Sequence, residues 1–333
     1  MSTNEPTPEE LEERIRAVRE KISGLRKEVA RSFLGDGSVV DLLLYSVLAG
    51  GHALLEGAPG LGKTTLVKAV ARALDLDFQR IQFTPDLMPA DILGARILEE
   101  TSEGGHAFRF EKGPLFSNVV LADEINRGTP RTQSALLEAM QERQVTVYGD
   151  TWRLSEPFCV IATQNPIEME GTYPLPEAQL DRFLCRIELE APTEKELVRI
   201  LEATTGSRTE EDTSLLRAEE VLEARALVRS IPVSSEELER VARLVRATDP
   251  SVESSPAEVK RCLRYGASPR GGQAILLLAK ANALHKGRAW VSREDVDAVA
   301  APALRHRLVF GYEGEASGVH PDELVQAALA TVS

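Results

Sequence analysis

Apolar residues recur every three or four positions from 8 to 31, at Leu11, Ile15, Val18, Ile22, Leu25 and Val29, which predicts an amphipathic helix. After Gly35 and Gly37 a second apolar helix is predicted over about 38–49. The pattern then changes to short apolar runs at 52–57, 78–83, 119–124, 158–163 and 185–190, separated by helical or irregular segments. Runs without polar alternation suit strands buried on both faces, so this part reads as an α/β unit around a parallel sheet. Beyond Pro192 helical periodicity dominates, through 193–204, 215–229, 234–248, 270–286 and 292–307, with loops expected at 205–214 and 249–256. The predicted division is an N-terminal helix (1–34), an α/β core (35–190) and an all-helical second domain (191–333).

Two alternating stretches interrupt the core pattern. Residues 144–157 read as a β-hairpin about a Gly149-Asp150 turn, and residues 94–112 as another.

Composition narrows the function classes. With 39 Lys and Arg against 52 Asp and Glu among 333 residues, the net charge is −13. That balance, with 5% aromatic residues, speaks against a nucleic acid as the main partner. The first 30 residues are polar where a signal peptide would be apolar, and the longest apolar run, within 39–49, contains Asp41 and is too short to cross a bilayer. Cys159, Cys185 and Cys262 show no CxxC spacing, so neither a zinc site nor a disulfide framework is indicated. A soluble cytoplasmic protein is expected. None of the five histidines has metal-ligand spacing.

The chemistry concentrates in a few stretches. GAPGLGKTT, 57–65, follows an apolar strand and opens a helix, the setting a phosphate-binding P-loop requires. Its glycines let backbone N–H groups wrap a phosphate, Lys63 reaches the β and γ phosphates, and Thr64 offers a hydroxyl to Mg²⁺. The run 119–122 delivers Asp123 and Glu124 at its end, and burying such acids demands a cation nearby. Mg²⁺ held through water by Asp123, with Glu124 polarising an attacking water, satisfies that demand; capping of the helix at 130–143 is the competing reading. Asn165 ends another apolar strand, as a water-orienting group or as a turn residue before Pro166. Arg182 follows a short helix. Arg270 falls in the first turn of a helix capped by Ser268, where it opposes the helix dipole, so an anionic ligand accounts for it better than helix stability does.

The sequence resembles the MoxR family of AAA+ ATPases. The likeness rests on GGHALLEGAPGLGKT, TPDLMPADILG, EKGPLFSNVVLADEINR, RTQSALLEAMQERQVT, ATQNPIEMEGTYPLPEAQLDRF and GASPRGG, and it spans about 33–310. It implies an αβα nucleotide-binding core, a helical lid and a ring, usually hexameric, with ATP or ADP and Mg²⁺ at subunit interfaces. Gly57, Ala58, Pro59, Gly60, Leu61, Gly62, Lys63, Thr64 and Thr65 match Walker A. Asp123 and Glu124 match Walker B, with Thr64 and Asp123 on the metal, and Asn165 matches sensor 1. Arg182 matches the arginine finger, and Arg270 matches sensor 2, on its own or the neighbour's nucleotide. Gly35 resembles the segment near the adenine. The stretches 94–112 and 144–157 correspond to the helix-2 insert and the pre-sensor-1 hairpin.

The implied function is an ATP-driven remodelling or maturation machine, working with a von Willebrand factor A domain protein on a client protein or metalloenzyme. A nucleic-acid motor, as in related helicases, and a nucleotide-gated scaffold are the alternatives.

Overall fold

A computed structural model describes residues 8–100, 105–165, 171–205 and 215–332. Five parallel strands form the central sheet: β1 (Ala53–Glu56), β2 (Phe78–Gln82), β3 (Val119–Asp123), β4 (Cys159–Gln164) and β5 (Cys185–Glu188), in the spatial order β2-β3-β4-β1-β5. The unalternated apolar runs have a direct explanation, because successive residues feed two different cores. Ala53, Leu55, Val119, Leu121, Cys159 and Ile161 face the helices Pro8–Ser32, Gly37–Ala49 and Lys63–Ala73. Leu54, Val120, Ala122, Val160 and Ala162 face helix Pro130–Glu142 through Leu136, Leu137 and Met140.

The N-terminal helix covers the core. Its stripe of Ile15, Ile22, Leu25 and Val29 is fully sealed, at about 25 cal/mol for each Å² of apolar surface removed from water. Helices from Glu194 onward build the second region, where helix Pro269–His285 packs on helices Gly37–Ala49 and Arg293–Leu304. This region departs from the all-helical expectation. Leu263–Tyr265 and Val309–Phe310 pair as a short antiparallel ladder, too short for a period of two to stand out in the sequence. Of the loop expected at 205–214, Thr205 closes helix Glu194–Thr205 and 206–214 lie outside the described residues.

Both hairpins form, one from Gly94–Glu100 with His106–Lys112 and one from Gln144–Val147 with Asp150–Arg153. The turn of the second lies one residue earlier than expected. Tyr148 and Gly149 take the left-handed conformation (φ 52° and 89°) that a tight two-residue hairpin turn needs, leaving Asp150 to pair with Val147. The hairpins are joined to each other. Phe110 stacks on Trp152 with centroids 5.0 Å apart, and Arg96 reaches both Asp150 and the Tyr148 ring.

Candidate nucleotide site

Parallel strands end on the same edge of a sheet, and here the chemistry-bearing residues gather at that edge. β1 runs into the loop 57–62, and the loop hands the chain to helix Lys63–Ala73. Gly60 and Gly62 adopt φ of +83° and +80°, which side-chain-bearing residues take only with strain. A Cβ on Gly57 would lie 2.9 Å from the Leu189 carbonyl oxygen. Lys63 Nζ donates to the Gly57 and Ala58 carbonyls. Thr64 is half-buried in the first turn of the helix and Thr65 exposed. A backbone cradle with a lysine folded over it, at a helix N-terminus, is the arrangement that holds phosphate.

At the tip of β3, Asp123 is buried and fully engaged. Thr163 Oγ1 donates to its Oδ1 at 2.6 Å, and Arg80 donates to Oδ2 through Nε at 2.9 Å and an Nη at 2.6 Å. The cation that burial of this acid demands therefore includes a protein group. The sequence reading missed Arg80; the signal was FQRIQ, a sheet strand with Arg80 and Gln82 two residues apart on one face. Glu124 adopts a left-handed backbone (φ 54°, ψ 50°), and its N–H donates to Thr163 Oγ1 at 2.8 Å. Its carboxylate accepts from Gln82 Nε2 at 2.8 Å and from Arg127 at 3.1 Å. The capping alternative is excluded, since helix Pro130–Glu142 is capped by Thr129. Asn165, buried, directly follows β4, the strand lying between β3 and β1.

A cleft of about 1120 Å³ opens between the P-loop and the helical region, lined among others by Phe33, Gly35, Gly60, Gly62, Ala301 and Arg305, while Lys63, Thr64, Asp123, Glu124 and Asn165 do not line it. Its size and its P-loop wall fit a nucleoside triphosphate. A magnesium ion would find hard oxygen donors in the Thr64 hydroxyl and, through water, in Asp123, whose own oxygens already accept from Thr163 and Arg80. At the same cleft Glu188, His320 and Asp322 bring ligand atoms within 4.8 Å of one another, a meeting that sequence spacing did not reveal. Arg305 bridges both acids, at 3.0 Å and 2.6 Å, and answers their charge.

The two predicted arginines lie elsewhere. Arg182 and Arg270 line a separate pocket of about 230 Å³ together with Asp181, Arg307 and His52, and neither lines the large cleft. Arg182 donates to the Leu137 carbonyl at 2.7 Å. Ser268 caps helix Pro269–His285 by accepting from Arg270 N, as its position suggested, while the Arg270 guanidinium stands 3.8 Å from Asp181 Oδ2, an internal anion. Below this face His52 bridges Val160 N and the Met140 carbonyl, and burial pushes its pKa down to about 4. Burial also holds His306, beside the Phe183 carbonyl, well below the usual imidazole range.

A P-loop strand, an acid-tipped strand and an asparagine-tipped strand around one sheet edge, roofed by a helical region, define a P-loop nucleotide-binding protein with a lid. Residues 52–185 match the ATPase family associated with various cellular activities (AAA), and residues 256–328 match the AAA lid domain. Chaperone MoxR1 of Mycobacterium tuberculosis is 41% identical over 92% of this chain and 80% of its own length. Protein MoxR of Methylorubrum extorquens is 31% identical over 94% and 95%. A crystal structure of a protein from Cytophaga hutchinsonii superposes with a TM-score of 0.89 at 39% identity, covering 97% of each chain. The chain belongs to the MoxR family of AAA+ ATPases.

Proposed function

We propose that this chain hydrolyses ATP at the interface between neighbouring copies in a ring, usually a hexamer in this family, and uses the resulting motion to remodel or mature a client protein complex. One observation carries the reading: Lys63, Asp123, Glu124 and Asn165 share one sheet edge, while Arg182 and Arg270 share a different pocket. Lys63, Arg80 and Arg127 stand at the edge, but the two arginines expected to meet the γ-phosphate line another pocket, and a second copy presenting that pocket in a head-to-tail ring would bring them to it.

In this reading the loop 57–62 and Lys63 hold the phosphates, and Gly35 borders the base. Thr64 and Asp123 would hold a magnesium ion, which would supply charge neutralisation for the phosphates. Glu124 accepts hydrogen bonding from the attacking water and Asn165 orients that water. Arg182 of the adjoining copy meets the charge that develops on the γ-phosphate, and Arg270 assists from the same face. The joined hairpins pass the motion outward, and a von Willebrand factor A domain protein links the ring to its client, as the family resemblance implies.

Turnover per subunit should fall on dilution in step with dissociation of the assembly, followed by light scattering; a monomer with undiminished turnover would contradict interface hydrolysis. Glu124→Gln with ATP should capture a von Willebrand factor A domain protein, whereas recovery of polynucleotide would favour a nucleic-acid motor.

A further inference from the structure

Arg305, His306 and Arg307 form one turn of 3-10 helix directly after helix Arg293–Leu304. The two arginines point into different clefts. Arg305 lines the nucleotide cleft beside Ala301 and Pro302 and pairs with Glu188 at 3.0 Å and Asp322 at 2.6 Å. Arg307 lines the pocket of Arg182 and Arg270, with only 3% of its side chain exposed. It donates to Asp181 Oδ1 at 2.8 Å and to the backbone carbonyls of Asp181, Phe183 and Leu184 at 3.2, 2.7 and 3.3 Å. Asp181 in turn accepts from the Ser268 hydroxyl at 2.9–3.0 Å and faces Arg270.

These bonds tie the segment 181–184, which carries Arg182, to the lid helix that carries Arg270 and to the turn. A buried guanidinium with this many partners in one segment does not release them one by one, because each loss leaves a buried donor unpaired. Any shift of helix Arg293–Leu304 on filling of its own cleft would therefore be delivered to Arg182.

We propose that the turn 305–307 couples the chain's own nucleotide cleft to the two arginines it offers to a neighbour, with Asp181 and Arg307 as the positioning pair. This rests on the reading that Arg182 and Arg270 act on the adjoining copy's ATP. Asp181 touches no reacting atom. Its replacement should leave the chain's own nucleotide affinity intact and impair hydrolysis next door.

The test is subunit mixing. Asp181→Asn alone should bind a fluorescent ATP analogue within about twofold of the parent protein yet lose about ten- to a hundredfold in turnover, the scale of misplaced catalytic groups. Glu124→Gln chains hold ATP without hydrolysing it and keep their arginines. Mixing the two at equal amounts should recover activity well above either alone, since about a quarter of the head-to-tail interfaces then pair an intact Glu124 with intact arginines. Arg182→Ala mixed with Glu124→Gln serves as control. If the control recovers and Asp181→Asn does not, the coupling proposal fails while interface hydrolysis stands. If neither recovers, both fall. Turnover of Asp181→Asn within twofold of the parent also overturns the proposal. Should Asp181→Asn fail to assemble, Ser268→Ala removes the hydroxyl that Asp181 accepts from, together with its cap on Arg270 N, and should lose about three- to tenfold, recovered in the same mixture.

Discussion

The nucleotide edge and the arginine face are built by opposite means. At the edge, the sheet does most of the work: strand ends, a left-handed Glu124 and the glycines of 57–62 fix the donors and acceptors through backbone geometry, with Thr163 locking both acids. At the arginine face, long side chains are held by ion pairs that bridge the core and the lid, Arg307 to Asp181 and Arg270 to Asp181. The first arrangement is complete within one chain. The second spans lid and core, so any motion between them would reach it, as the role proposed for the two arginines requires.

The contrast is sharpest in the kinetics. Arg182→Ala should bind ATP normally and lose about 10³-fold or more in turnover, the scale of a missing arginine finger, whereas Lys63→Ala should lose nucleotide binding itself. Phosphate release and fluorescent-nucleotide binding on the two variants separate the outcomes, and equal loss of binding in both would erase the distinction. Next in size is Glu124→Gln, which should retain ATP while turnover drops about 10²- to 10⁴-fold, read by trapped nucleotide after rapid filtration.

Acid should strike beneath the arginine face. His52 has its folded pKa pushed down from 6.5 to about 4, and His306 moves in the same direction. Groups held neutral this way contribute stability that is present above pH 6.5 and lost as pH falls toward 4, because the unfolded chain then binds more protons. His52 accounts for about 3 kcal/mol across that window. Denaturant midpoints should drop between pH 7.5 and pH 4.5, and the drop should shrink in His52→Gln. On the other side, Thr163→Val removes one hydroxyl shared by Asp123 and Glu124 and should cost about 1–3 kcal/mol in the same measurement. A neutral result there would mean that the backbone alone holds the acids.

How legible each region was in the sequence follows the same division. The sheet strands could be read from apolar runs because two-sided burial leaves an unbroken pattern, and Gly57–Thr65 announced themselves by spacing and context. The turn at Tyr148-Gly149 was misread by one residue, since a tyrosine with positive φ carries no sequence signal. Arg80, Gln82 and Thr163 were missed for a different reason: FQRIQ marks Arg80 and Gln82 as polar residues on a strand, but each of the three acts across strands that are distant in the chain, where only register brings partners together. Arg305 and Arg307 sit two residues apart yet face two clefts, and nothing in RHR distinguishes them. Side-chain networks between core and lid are set by tertiary packing, which periodicity does not encode.

The account depends most on the arginine of one copy acting at the phosphates of the next. Glu124→Gln and Arg182→Ala, each inactive alone, should hydrolyse ATP when co-assembled, because some interfaces then combine an intact Glu124 with an intact arginine on a nucleotide-loaded neighbour. A mixture as inactive as its components, with assembly verified by light scattering, would contradict the shared site.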